Sequence, residues 1–79
     1  MPPFYFHAYE GDEIRDGDGQ DLPDICSVRR VAVAYAGDLL KEAGDTLFDH
    51  DMRLVVTDGT GLTLFSILIV ATEAPSVRS

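Results

Sequence analysis

A single cysteine, Cys26, stands in the 79 residues, so no disulfide can form within the chain. Basic residues are scarce as well: six Lys and Arg against fourteen Asp and Glu, a formal net charge of −8. Nucleic acid and anionic membrane surfaces both require a basic footprint, and neither is expected as a partner of this chain alone. The one sustained apolar run, Leu62 to Ala71, has about ten residues where a membrane-spanning helix needs roughly 20. No basic-then-apolar segment of the secretory kind opens the sequence. Together with the lone cysteine, this makes a reducing, cytoplasmic location the expectation. A chain this short buries only a little over about 60% of its unfolded surface, and domains of this size commonly gain stability from disulfides, metals or oligomerisation. With disulfides excluded and no cofactor indicated, oligomerisation is the expected route.

The charge that is present is unevenly placed. From Glu10 to Asp24 stand seven acids (Glu10, Asp12, Glu13, Asp16, Asp18, Asp21 and Asp24) against Arg15, so most of the net charge lies in one segment. The plain reading is a solvated loop that keeps a small protein soluble. The functional reading is an acidic surface at Asp12, Glu13, Asp16, Asp18 and Asp21 that attracts a basic protein partner by raising the rate of encounter.

Periodicity sets out the elements. After Pro2 and Pro3, Phe4 to Tyr9 alternates Phe4, Phe6 and Ala8 with Tyr5, His7 and Tyr9, as in a half-buried strand with an amphipathic outer face. Glu10 to Asp12 turns the chain, and Glu13 to Asp16 is expected to return as a short second strand before the glycines at 17 and 19. Leu22-Pro23-Asp24 signals a helix start with Asp24 as the cap. Ile25, Val28, Ala32, Tyr35 or Ala36, Leu39 and Ala43 then recur at helical spacing up to Gly44. Gly37, costly within a helix, is expected where another backbone comes close. Leu47 and Phe48 are expected to plug the open end of the core. Met52, Leu54 and Val56 alternate with Arg53, Val55 and Thr57 in a third strand, and Asp58 to Gly61 makes a turn with Gly61 left-handed.

The last strand, Leu62 to Ala71, is apolar on both faces. The predicted fold is a two-layer α+β sandwich, β-β-α-β-β, with one helix across one face of a mainly antiparallel sheet. It is read as one domain over residues 1–75 with a frayed tail at 76–79. One helix covers one face, so the other needs a partner. Tyr5, His7, Tyr9, Arg53 and Val55 are expected there, with Phe65, Ile67 and Ile69 as the interface contribution of the last strand. If those three instead face the core, Leu64, Leu68 and Val70 are left uncovered and the conclusion is the same. A homodimer is the expected assembly, because closed two-fold pairs are the commonest among soluble chains.

The aromatic strand with Tyr5-Phe6-His7, the acidic segment with Asp16 and Gly19, Leu22-Pro23-Asp24, the alanines at 32 and 36 and the hairpin Val56 to Gly61 together resemble a family of short bacterial proteins of unknown function. Nearly the whole chain takes part. That resemblance implies the same order of elements and carries no assigned activity. A weaker similarity is to Hic-type antitoxins, which also place an aromatic strand and a Leu-Pro-Asp-like turn before a helix. Their basic DNA-binding tail has only Arg78 as a counterpart here.

Chemical motifs are sparse. Asp16-Gly17-Asp18-Gly19-Gln20-Asp21 has carboxylates and glycines as a calcium loop does, but Asp21 falls where the turn glycine belongs and Ser27 where a bidentate glutamate belongs. His7 and His50, with Asp49 and Asp51, show no metal-binding spacing, and a histidine in an aromatic strand is more often structural. Cys26 lies in the first turn of the helix, where a dipole can activate a thiol, although a small buried apolar role is the commoner one. Three functions remain: a homo-oligomeric interaction module without catalytic activity, an antitoxin-like neutraliser of a basic partner, and a small metal binder or enzyme using His7.

Overall fold

The computed structural model describes residues 3–10, 12–14, 18–74 and 76. The chain forms β1 (Pro3–Glu10), β2 (Asp12–Ile14), β3 (Gln20–Asp21), α1 (Ile25–Ala43), a 3-10 turn (Gly44–Phe48), β4 (Met52–Asp58) and β5 (Thr63–Ile69). These make an α+β fold in which one helix covers one face of an antiparallel sheet ordered β2-β1-β4-β5. The two-residue β3 pairs with the N-terminal half of β1, on the side where β2 pairs with the C-terminal half. The returning strand thus starts at Asp12, one residue earlier than the alternation implied. β3 was not expected at all, since two residues carry no period. Residues 15–17, like Pro75 and the tail at 77–79, lie outside the described residues.

The sheet is held in register by long-range pairing, Phe6 with Val56 and Ala8 with Leu54 in β1 and β4. Paired residues share a face, so Phe4, Phe6, Ala8, Met52, Leu54 and Val56 all turn toward α1 and are buried. From the helix, Val28, Ala32, Ala36 and Leu39 meet them, and Leu22 closes the core ahead of the cap. Tyr35 leans on Phe6 with ring centroids 6.3 Å apart, a tilted contact within the range aromatic pairs favour.

Helix and hairpin begin and end on local hydrogen bonds. The Asp24 carboxylate accepts the Ser27 backbone N–H at 2.8 Å, which satisfies one of the free donors of the first turn. At the other end Gly44 adopts φ +57° and its N–H donates to the Leu40 carbonyl. Between β4 and β5 the Asp58 carboxylate accepts from the Thr60 hydroxyl at 2.6 Å, the Thr60 N–H at 2.8 Å and the Leu62 N–H at 3.0 Å. Gly61 takes φ +90°, the left-handed conformation the turn requires of it.

Three expectations are corrected. Phe65, Ile67 and Ile69 do not share a face with Tyr5, His7, Tyr9, Arg53 and Val55. They pair with Val56, Leu54 and Met52 and pack half-buried against the core under α1. Leu68 and Ser66, opposite Arg53 and Val55, take the outer positions instead. Phe48 does not plug the core: it is 54% exposed, while Leu47 alone packs against the cluster. Gly37 has no close neighbour, since a Cβ there would meet nothing within 4 Å.

Two measurements check this account. Ile67→Asp is expected to cost several kcal/mol, of the order of the whole stability of such a domain, about 5 kcal/mol; Leu68→Asp, one residue on, should keep the folded circular dichroism spectrum. Equal damage from both would place the faces wrongly. The second concerns acid. The backbone N–H of Ser27 holds the Asp24 carboxyl below its ordinary pKa, and the Thr60 hydroxyl does the same for Asp58. A lowered folded-state pKa contributes stability that is present above the unfolded value and is lost as pH falls through the folded one. The urea midpoint should therefore drop as pH falls below about 4. Asp24→Asn, which keeps a capping oxygen, should flatten that drop while leaving the neutral-pH midpoint nearly unchanged.

Candidate functional site

The sheet face turned away from α1 carries most of the polar and aromatic side chains that β1 and β4 contribute. Period-two alternation places Tyr5, His7 and Tyr9 there from β1, Arg53, Val55 and Thr57 from β4, and Ser66 and Leu68 from β5. Across this face runs an ordered row. The Tyr5 and His7 rings lie nearly parallel, 5° apart in plane with centroids at 6.4 Å. His7 Nε2 sits 3.3 Å from Thr57 Oγ1, and the outward-facing Thr57 is itself buried. The guanidinium carbon of Arg53 stands 4.7 Å from the centre of the Tyr9 ring, inside the distance at which a cation is attracted to an aromatic face.

Small backbone features hold this row in place. Gly19, at φ +73°, passes directly over Tyr5: a Cβ there would lie 2.8 Å from Tyr5 Cε2. Glycine is required at that position both by the left-handed backbone and by the ring. Gly19, just ahead of β3, is thereby laid against the Tyr5 end of the outer face.

Nothing covers the β5 end of the face within the described chain. Leu68 is 64% exposed, Val70 50% and Leu64 37%. No carboxylate stands among the outward residues of β1, β4 and β5, although the chain carries fourteen acids. Tyrosine, arginine and leucine in this mixture combine apolar area with polar ends, the composition typical of interface cores.

The other candidates fare differently. His50 lies in the connection before β4, whereas His7 pairs with Val55 in the middle of the sheet, so the fold does not gather the two histidines with Asp49 and Asp51. Among the described residues no group of three or more His, Cys, Asp or Glu could hold a metal ion. The calcium-like loop begins at Asp16, outside the described residues. Cys26 is exposed rather than buried, because it falls on the side of α1 opposite Val28. In the acidic segment, Asp18 and Asp21 are exposed and Asp24 is engaged in the helix cap. Asp12 and Glu13 belong to β2, along the edge of β1. A hollow of about 390 Å³ is lined by Phe48, Asp49, Ala71, Thr72 and Glu73; its two carboxylates face no basic or nucleophilic partner in that lining. No helix among the described residues is long and apolar enough to cross a membrane.

Fold and surface thus define a small α+β domain in which, among the described residues, no second layer covers one face of the sheet. The chain belongs to the family described as a domain of unknown function, DUF6894, whose model matches residues 4–70. That match spans every element from β1 to β5 and agrees with the likeness to a family of unknown function; it adds nothing to the likeness to Hic-type antitoxins. No curated protein and no solved structure matches the chain.

The placement of Tyr5 over Gly19 gives a direct test of the site. Gly19→Ala forces a side chain into left-handed backbone, at a cost of roughly 1–2 kcal/mol, and displaces the Tyr5 ring. The Tyr5 and His7 ring resonances should shift in the NMR spectrum while those of Phe6 and Tyr35 stay in place. Unmoved Tyr5 and His7 resonances would mean that Gly19 does not hold the row.

Proposed function

We propose that the protein is a small homo-oligomeric protein-interaction module without catalytic activity of its own. The observation that carries this reading is the uncovered apolar side of the sheet, where Leu68, Val70 and Leu64 stand in water beside an acid-free row of Tyr5, His7, Tyr9 and Arg53. Leaving a side chain of that size exposed forgoes roughly 1.5–3 kcal/mol, and contiguous apolar patches on soluble domains commonly mark interaction sites. A second copy suits this surface better than a strongly charged partner does. The chain is acidic as a whole, and the β5 end of the sheet, where Thr63–Ile69 carries no charged residue, is where two copies approach without bringing carboxylates together.

Sedimentation equilibrium at micromolar concentration is expected to give the mass of a dimer. Leu68→Asp should shift it to the monomer mass while the folded spectrum is retained. A wild-type chain that stays monomeric and in solution at that concentration would overturn the reading.

A further inference from the structure

The two edges of the sheet are built in opposite ways. On the β1 side the edge is occupied by two very short strands, β2 and β3, with Asp12, Glu13 and Asp21 among their five residues. Short strands and charges are the devices by which proteins keep a sheet edge from pairing with another chain. The β5 edge has none of them along most of its length. Thr63–Ile69 contains no charged residue and no proline. Its register against β4 shifts once, where Thr57 pairs with Thr63 and Val56 with Phe65. This leaves Leu64 as the extra residue of a bulge. From Phe65 to Ile69 the pairing with β4 is regular, and among the described strands nothing pairs with the other side of β5.

From this contrast we infer that two copies of the chain join edge to edge, β5 against β5 in antiparallel pairing about a two-fold axis near the middle of Phe65–Ile69. This rests on the oligomeric reading above and specifies its geometry. The stretch is complementary to itself. With the axis at Ile67, Phe65 faces Ile69 of the second copy and Ile67 faces its own counterpart, all on the helix side, where each of these residues is only half-buried in one chain. The two thin cores then become continuous across the axis. Antiparallel partners of matching apolar character are what stabilise such a pair.

The helix supports the same side. Val33, Gly37 and Leu40 follow one another at helical spacing on a single flank, with Val33 64% and Leu40 41% exposed. Tyr35, Asp38 and Glu42 occupy the opposite flank, and Tyr35 rests on Phe6 of β1. The acid-free flank of α1 is therefore turned toward the β5 edge, where edge pairing would bring it to its two-fold mate. Joined in this way, the sheets leave Tyr5, His7, Tyr9 and Arg53 open on both copies.

Cross-linking tests the geometry. In a Cys26→Ser background, Ser66→Cys and Leu68→Cys place thiols at two exposed outer positions of β5. Directly opposed residues of an antiparallel pair have Cα atoms about 4.5–5.5 Å apart, within reach of a disulfide. Under mild oxidation, an equimolar mixture of the two variants should give a disulfide-linked dimer with the native spectrum, and neither variant alone should link. The double variant Ser66→Lys/Leu68→Lys should remain folded and lose the dimer, whereas Val55→Lys, central on the outer face and off the edge, should keep it. If the wild type is dimeric but the mixed thiols do not link it, or if Val55→Lys abolishes the dimer and the lysine pair does not, edge pairing is overturned while the oligomeric reading stands. A wild-type chain that is monomeric overturns both.

Discussion

Close contact between one helix and two strands is the constraint on which the structure depends. Ala8 on β1 and Ala32 and Ala36 on α1 are buried at the meeting of helix and sheet. Small side chains there let α1 settle near the sheet, and the larger Val28, Leu54 and Val56 fill the space around them. Interiors pack to the density of organic crystals, so a layer this thin admits little change in volume at any of these positions. Having a single helix then dictates the remainder. The middle strands are covered on one side, the outer face is left to aromatic and polar groups, and β5 lies only partly beneath the helix.

The outer face shows how those groups are kept in order without a second layer. Tyr5 is fixed by a glycine, His7 by a threonine on the neighbouring strand, and Tyr9 by a cation. Each contact is modest, as exposed aromatic and cation contacts are. Their effect is positional, since a row of rings held in fixed orientation loses less conformational freedom when something docks on it.

Most of this architecture was legible because the residues that specify it act locally. Phe4 to Tyr9 and Met52 to Thr57 alternate with a polar phase on one side, so their faces could be read directly. Asp24 and Gly44 bound the helix through hydrogen bonds made within a few residues, and Gly61 was identifiable from the turn it closes. The last strand was different. Leu, Phe and Ile occupy both of its phases, so alternation could not say which phase meets the helix, and the bulge at Leu64 shifts the phase again within the strand. That ambiguity placed Phe65, Ile67 and Ile69 on the interface side. The exposures of Cys26 and Phe48 were hidden for a related reason: a small thiol and an aromatic ring are usually buried, and only the rotation of α1 and the course of the 3-10 turn put them outside. The Tyr5–Gly19 contact, which orders the site, joins residues with no periodic relation.

The pairing of β1 with β4 has a kinetic side. His7 and Thr57 are 50 residues apart along the chain, whereas β4 and β5 are joined by a four-residue turn centred on Asp58 hydrogen bonds. Local hairpins close in microseconds, and contacts across long loops form more slowly because the loop entropy is lost before the contact is gained. During synthesis, however, β1 and α1 are already made when β5 emerges. The strand with the least protected edge is thus the last of the sheet to appear, and the surface that can receive it has been waiting since β4 was complete.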